Sequence, residues 1–176
     1  MNLEQMKQIS LRGRVAYGIC CFENVLITLE YDLKDWRKVL NYLWQFTSIQ
    51  YLDDWNEIIV ELIPENLMEF NTYEEQEFDR LSRDEFVSLS QLYQSTEESI
   101  GILLRDIYEL GISHAYSVIE GHGERSLVLV NRIANYMLQQ GFPLPDMDSF
   151  LKYSINENRG WGNRFDGTVL SKIIHK

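Results

Sequence analysis

Apolar residues recur at three- and four-residue steps along almost the whole chain, which places them on single faces of α-helices rather than on the alternating faces of strands. Val15, Ala16, Ile19, Phe22, Leu26 and Leu29 form the first such stripe. Val25 to Leu29 also reads as a strand, and the length of the whole stripe favours helix. Asp32 is placed to cap a second helix carrying Trp36, Val39, Leu40, Leu43 and Trp44. Trp55, Ile58, Ile59 and Leu62 mark a third, ended or bent at Pro64, because proline disfavours the α region for the residue before it. Three Ser/Thr-x-x-Glu capping boxes follow, in which side chains at both ends satisfy orphan backbone N–H groups. Thr72 with Glu75 and Ser82 with Glu85 predict two short helices. Ser95 with Glu98 predicts a long one, running through Ile100, Leu103, Leu104, Ile107, Ile112, Ala115, Val118 and Ile119 to a stop at Gly121-His122-Gly123. Gly111 lies inside that span at a cost of about 1 kcal/mol relative to alanine. Leu127, Val130, Ile133, Ala134, Met137 and Leu138 predict an antiparallel return helix closed by Gly141.

Beyond the stiff connector Phe142-Pro143-Leu144-Pro145, Asp146 or Asp148 caps one more short helix through Tyr153. Gly160 to Gly167 then forms a glycine-rich loop whose Trp161 and Phe165 dock the tail onto the helical core, the other reading being an anchor that faces a partner. The chain is therefore expected to be a single all-α domain over residues 1–176, a bundle of six to eight helices with a glycine-rich aromatic C-terminal loop. A content of 45% hydrophobic residues with only three prolines supports a packed core and excludes disorder for most of the chain.

Cys20 and Cys21 are adjacent, a spacing that almost never meets the geometry of a disulfide, so both read as free thiols and point to a reducing cytoplasm. The N-terminal stretch MNLEQMKQISLRGR lacks the continuous apolar run of a signal peptide, and no segment approaches the roughly 20 apolar residues of a membrane span. The protein is expected to be soluble, cytoplasmic and unprocessed.

Enzyme and cofactor signatures are missing at the level of motif. None of the three histidines has glutamate three residues before it, which excludes the Glu-x-x-His pairs of di-iron bundles. There is no His-Glu-x-x-His, no Gly-x-Ser-x-Gly and no Walker loop. His122-Gly123-Glu124 matches half of the zinc deaminase signature and lacks Pro-Cys-x-x-Cys. Glu120, His122 and Glu124 share one turn whose glycines have a local structural reason, so the turn reads as an interhelical loop. His114 reads as a hydrogen-bonded core histidine, and His175 lies at the C-terminal end. No catalytic residue, cofactor or metal ligand is assigned.

Charge carries the functional reading. The net charge is −11, and residues 53–98 hold 14 acids against Arg80 and Arg83, or −12, while the rest of the chain is +1. Such a balance disfavours nucleic acid and anionic lipid as direct partners, since both are bound through basic patches. Asp53, Glu57, Glu61, Glu65 and Glu69 repeat at four-residue steps, and like charges at that spacing within one helix cost a few tenths of a kcal/mol, about 0.2–0.5, per pair. Helix caps and helix dipoles explain Asp53, Asp54, Glu75, Asp84, Glu85, Glu97 and Glu98. They leave Glu57, Glu61, Glu65, Glu69, Glu74, Glu77 and Asp79, which with Tyr73 form the expected partner-binding set, the other reading being a solvated acidic face that keeps the protein soluble. Phe70 beside them suits the apolar centre of an interface ringed by charge.

In size, acidity and aromatic content the chain resembles the small cytosolic immunity proteins of bacterial contact-dependent inhibition and related polymorphic toxin systems. The resemblance extends over the whole chain as a type and carries over no individual residue. It implies a stoichiometric, non-enzymatic inhibitor of one basic partner, a cognate toxin domain such as a nuclease. The reading from another class is a small helical enzyme or ligand sensor with an apolar pocket between helices.

Overall fold

The computed structural model describes residues 2–175 and is all-helical. Its α-helices are α1 (Leu3–Met6), α2 (Leu11–Thr28), α3 (Leu33–Gln45), α4 (Leu52–Leu62), α5 (Pro64–Leu67), α6 (Arg83–Gln94), α7 (Glu98–Ile112) and α8 (Glu124–Gln139), followed by three 3₁₀ turns at Met147–Phe150, Asn158–Gly160 and Gly167–Leu170. Among the described residues the only β-type pairing is one antiparallel bridge between Ile9 and Ser154. No described helix is long and apolar enough to cross a membrane.

Helix α2 is the axis of the molecule, buried on every side from Leu11 to Leu26, with α7 and α8 packed along it and α3 beside them. Enclosing a whole helix requires its polar groups to find partners inside. Arg14, fully buried, donates to the carbonyls of Met6, His122 and Gly123 and to Ser126 Oγ, the last at 2.7 Å. Glu23, also fully buried, accepts from Trp44 Nε1 at 3.0 Å, from Ser171 Oγ at 2.5 Å and from the Lys172 amide at 2.7 Å, which ties the C-terminal segment to α2 and α3. Burial pushes the Glu23 carboxyl above its ordinary range against the pull of those three donors. Cys20 and Cys21 are free and buried in this helix, and burial raises both thiols.

The Asp32 cap, the stop before Pro64 and the Ser82–Glu85 capping box are present as the sequence indicates. The other two boxes are not. Thr72 and Glu75 lie in an irregular loop over residues 68–81, and Ser95 is the C-cap of α6, its hydroxyl donating to the Leu92 carbonyl, while α7 starts one residue past Glu97. Glu98 therefore sits at the first position of its helix, too early to reach back as a box partner.

The long helix expected to reach Gly121 ends at Ile112. Ser113 Oγ turns back onto the Leu110 carbonyl, His114 folds inward to within 3.2 Å of Ser126 Oγ, and Tyr116 adopts φ +56°, a left-handed conformation that breaks the helix. Gly111 is required by packing: a Cβ there would lie 2.5 Å from the Trp55 ring of α4.

Candidate functional site

The acids expected to meet a partner lie on α4, α5 and the loop to α6, and they divide into two groups. The first has internal work. Glu61 accepts from three successive backbone amides, Asp79 at 2.8 Å, Arg80 at 3.1 Å and Leu81 at 2.8 Å, so its carboxylate holds the end of the 68–81 loop against α4. Glu57 pairs with the Arg80 guanidinium beside it, and Glu65 lies 3.5 Å from Arg105 on α7. The four-residue repeat therefore does not form one uninterrupted acidic ridge: three members share α4, Glu65 is on α5 and Glu69 lies beyond it.

The second group has no such work. Glu69, Glu74, Glu77 and Asp79 are exposed along the 68–81 loop, together with Glu75, and their carboxylates have no hydrogen-bond or ion-pair partner among the described residues. The loop is anchored by rings rather than by charge. Phe70 and Tyr73 pack on Phe78, with centroids 5.1 and 5.6 Å away, and Phe86 closes the cluster. Tyr73 is half-buried and carries Arg83 over its ring at 5.4 Å, so its outer face is already covered by a cation. Of the eight residues expected to bind a partner, four are free to do so and four also hold the fold together.

Of the surface clefts near these elements, two bring charged and aromatic side chains together. One of about 490 Å³ runs between α7 and α8 beneath Arg105, Arg132 and Tyr136. Its floor is Asp106, 2% exposed, whose carboxyl is raised by burial and only partly drawn back by Arg132 at 2.9 Å. Arg132 also pairs with Glu109, so this arrangement braces α7 against α8.

The other cleft, about 360 Å³, opens where α4 begins. Tyr51, Tyr116 and Trp161 wall it, with Asp53, Gln50 and Asn158 around them. Helical spacing alone does not predict this juxtaposition, because it continues the long helix through Tyr116, which the structure leaves outside α7. Phe165 stacks on Tyr153 at 3.9 Å, and Trp161, likewise half-buried, packs against the core while also lining the cleft. The signal available in the sequence was Asn158 before a glycine-rich run, since asparagine tolerates left-handed backbone.

The histidines take structural positions. His114 is buried, and burial together with nearby Arg14 holds its pKa below the ordinary value. His122 is exposed, its Nδ1 within 3.3 Å of the Lys7 carbonyl. Among the described residues no group of three or more His, Cys, Asp and Glu side chains is disposed to hold a metal ion.

No family model matches the chain, and neither does any curated protein or solved structure.

Proposed function

We propose that the protein is a stoichiometric binding protein that docks a basic protein partner on its acidic side and neutralises it, in the manner of an immunity protein acting on a cognate bacterial toxin domain. The observation that supports this reading is the set Glu69, Glu74, Glu77 and Asp79, exposed on one loop, whose carboxylates make no hydrogen bond or ion pair among the described residues. Mutual repulsion makes such a cluster unfavourable for the chain alone. It acquires a use when a positive surface approaches, because complementary potentials accelerate encounter and suppress wrong partners. The aromatic cluster beneath gives the loop a defined shape, so its carboxylates are presented in a fixed pattern.

The experiment is affinity capture at low salt from lysate of the source cells, with the unmodified chain and a Glu69→Gln, Glu74→Gln, Glu77→Gln, Asp79→Asn variant side by side. The reading predicts a basic protein retained in equimolar amount by the first and weakly by the second. Equal retention by both, or retention of no basic protein, contradicts it.

A further inference from the structure

An exposed aromatic ring held in an unfavourable backbone conformation calls for a reason outside the fold. Tyr116 is 93% exposed and Tyr51 63% exposed, so neither ring contributes much to the core. Tyr116 nevertheless sits at φ +56°, a region that a side chain with a Cβ rarely enters, and its hydroxyl donates to Asp53 Oδ1 at 2.6 Å, which fixes the ring at the rim of the cleft. The opposite wall is built the same way. Asn158, Arg159 and Gly160 stand at φ 44°, 55° and 88° in succession, and the chain then presents Trp161. Of the four non-glycine residues with positive φ, three belong to the two segments that meet at this cleft.

The chemistry of the walls selects the occupant. Three aromatic rings offer faces of negative quadrupole, Asp53 offers a carboxylate, and Gln50 and Asn158 offer amide oxygens. Arg12 is the cation among the lining residues; its two Nη groups donate to the carbonyls of Phe46 and Ile49, no carboxylate pairs with it among the described residues, and burial together with nearby Arg164 lowers its pKa. Asp53, in the first turn of α4, brings one carboxylate of the acidic segment to the cleft.

We propose that this cleft is the anchor of the partner interface and seats one arginine or lysine side chain of the basic partner between the Tyr51, Tyr116 and Trp161 rings, its charge against Asp53. The proposal rests on the binding-protein reading above and adds to it a division of labour. The 68–81 loop steers the partner, and the cleft holds it through the buried aromatic contacts that dominate binding at interface centres.

The test is nuclear magnetic resonance titration of the full ¹⁵N-labelled chain with N-acetyl-arginine methylamide, and separately with N-acetyl-glutamate methylamide. The arginine probe should shift the Trp161 indole N–H and the amides of Tyr51, Asp53 and Tyr116, and the glutamate probe should not. Tyr116→Asn keeps a residue that tolerates positive φ, so it should stay folded while weakening the arginine probe roughly two- to fivefold, as loss of an exposed cation–π wall implies. Shifts confined to residues 69–79 would overturn the anchor and leave the acidic docking surface standing. Stronger shifts in the cleft with the glutamate probe would overturn it in favour of an anion site at Arg12. Absence of cleft shifts with the arginine probe, or full binding by folded Tyr116→Asn, would overturn it as well.

Discussion

Glu61 stands between Glu57 and Glu65 at four-residue steps, yet three backbone amides satisfy its carboxylate and Arg80 neutralises its neighbour Glu57. Counting acids along the sequence makes Glu61 and Glu69 equivalent, and only the path of the chain through residues 79–81 separates them. Glu61→Gln, which keeps one acceptor oxygen and loses the charge, should cost about 1–3 kcal/mol in denaturant unfolding. Replacing Glu69, Glu74 and Glu77 with glutamine should leave stability within about 0.5 kcal/mol, as at surface sites without partners. Glu85 supplies a pH test at the same scale. Partial burial raises its carboxyl, but Lys38 and both groups of Ser82 outweigh that and hold the pKa at about 2, against an ordinary value of 4.5. An acid with a depressed folded pKa stabilises the fold above its ordinary value and loses that contribution as the pH falls toward 2. The unfolding free energy should therefore decline between pH 4.5 and about 2, and Glu85→Gln should flatten that decline. An unchanged slope would show that the Lys38–Glu85–Ser82 contacts are not maintained in solution.

Among the elements, periodicity located α2, α3, α4 and α8 because each stripe coincides with a buried face or, for α2, with burial all round. It failed after Ile112, where Ala115, Val118 and Ile119 continue the helical spacing in a segment that does not follow it. Val118 there is 72% exposed, while Ile119 packs beneath Gly123 and Gly160. Local pattern does not record that His114 is drawn toward Ser126 or that Tyr116 is drawn toward Asp53, contacts made across separate elements. The clefts were illegible for the same reason. Two glycines of α7 show how tertiary packing overrides propensity. A Cβ at Gly101 would meet nothing within 4 Å, so Gly101→Ala should stabilise the protein by about 0.5–1 kcal/mol. A Cβ at Gly111 would strike the Trp55 ring, so Gly111→Ala should instead destabilise by about 1–3 kcal/mol despite its better helix propensity. Thermal unfolding of the two variants should move in opposite directions, and a shared direction would contradict the packing of α4 on α7.

For the molecule as a whole, enclosing α2 has a chemical consequence. Cys20 and Cys21 lie in its buried length with their thiols raised by burial, so an aromatic disulfide reagent should react with neither in the native state and with both after denaturation. Rapid native reaction would mean that α2 is not the enclosed axis described here. Charge is distributed at the same scale. The core is neutralised locally, by carbonyls around Arg14 and by N–H and O–H donors around Glu23, while the unpaired carboxylates of residues 69–79 are left to the surface. A long-range negative field of this kind acts on encounter more than on the final fit. The decisive measurement is the association rate constant with the captured basic partner as a function of ionic strength, for the unmodified chain and for the folded Glu69→Gln, Glu74→Gln, Glu77→Gln, Asp79→Asn variant. The account predicts a rate that falls steeply with salt for the first and a slower, flatter dependence for the second, with the two converging at high salt. Superimposable rates and slopes for both proteins would contradict it.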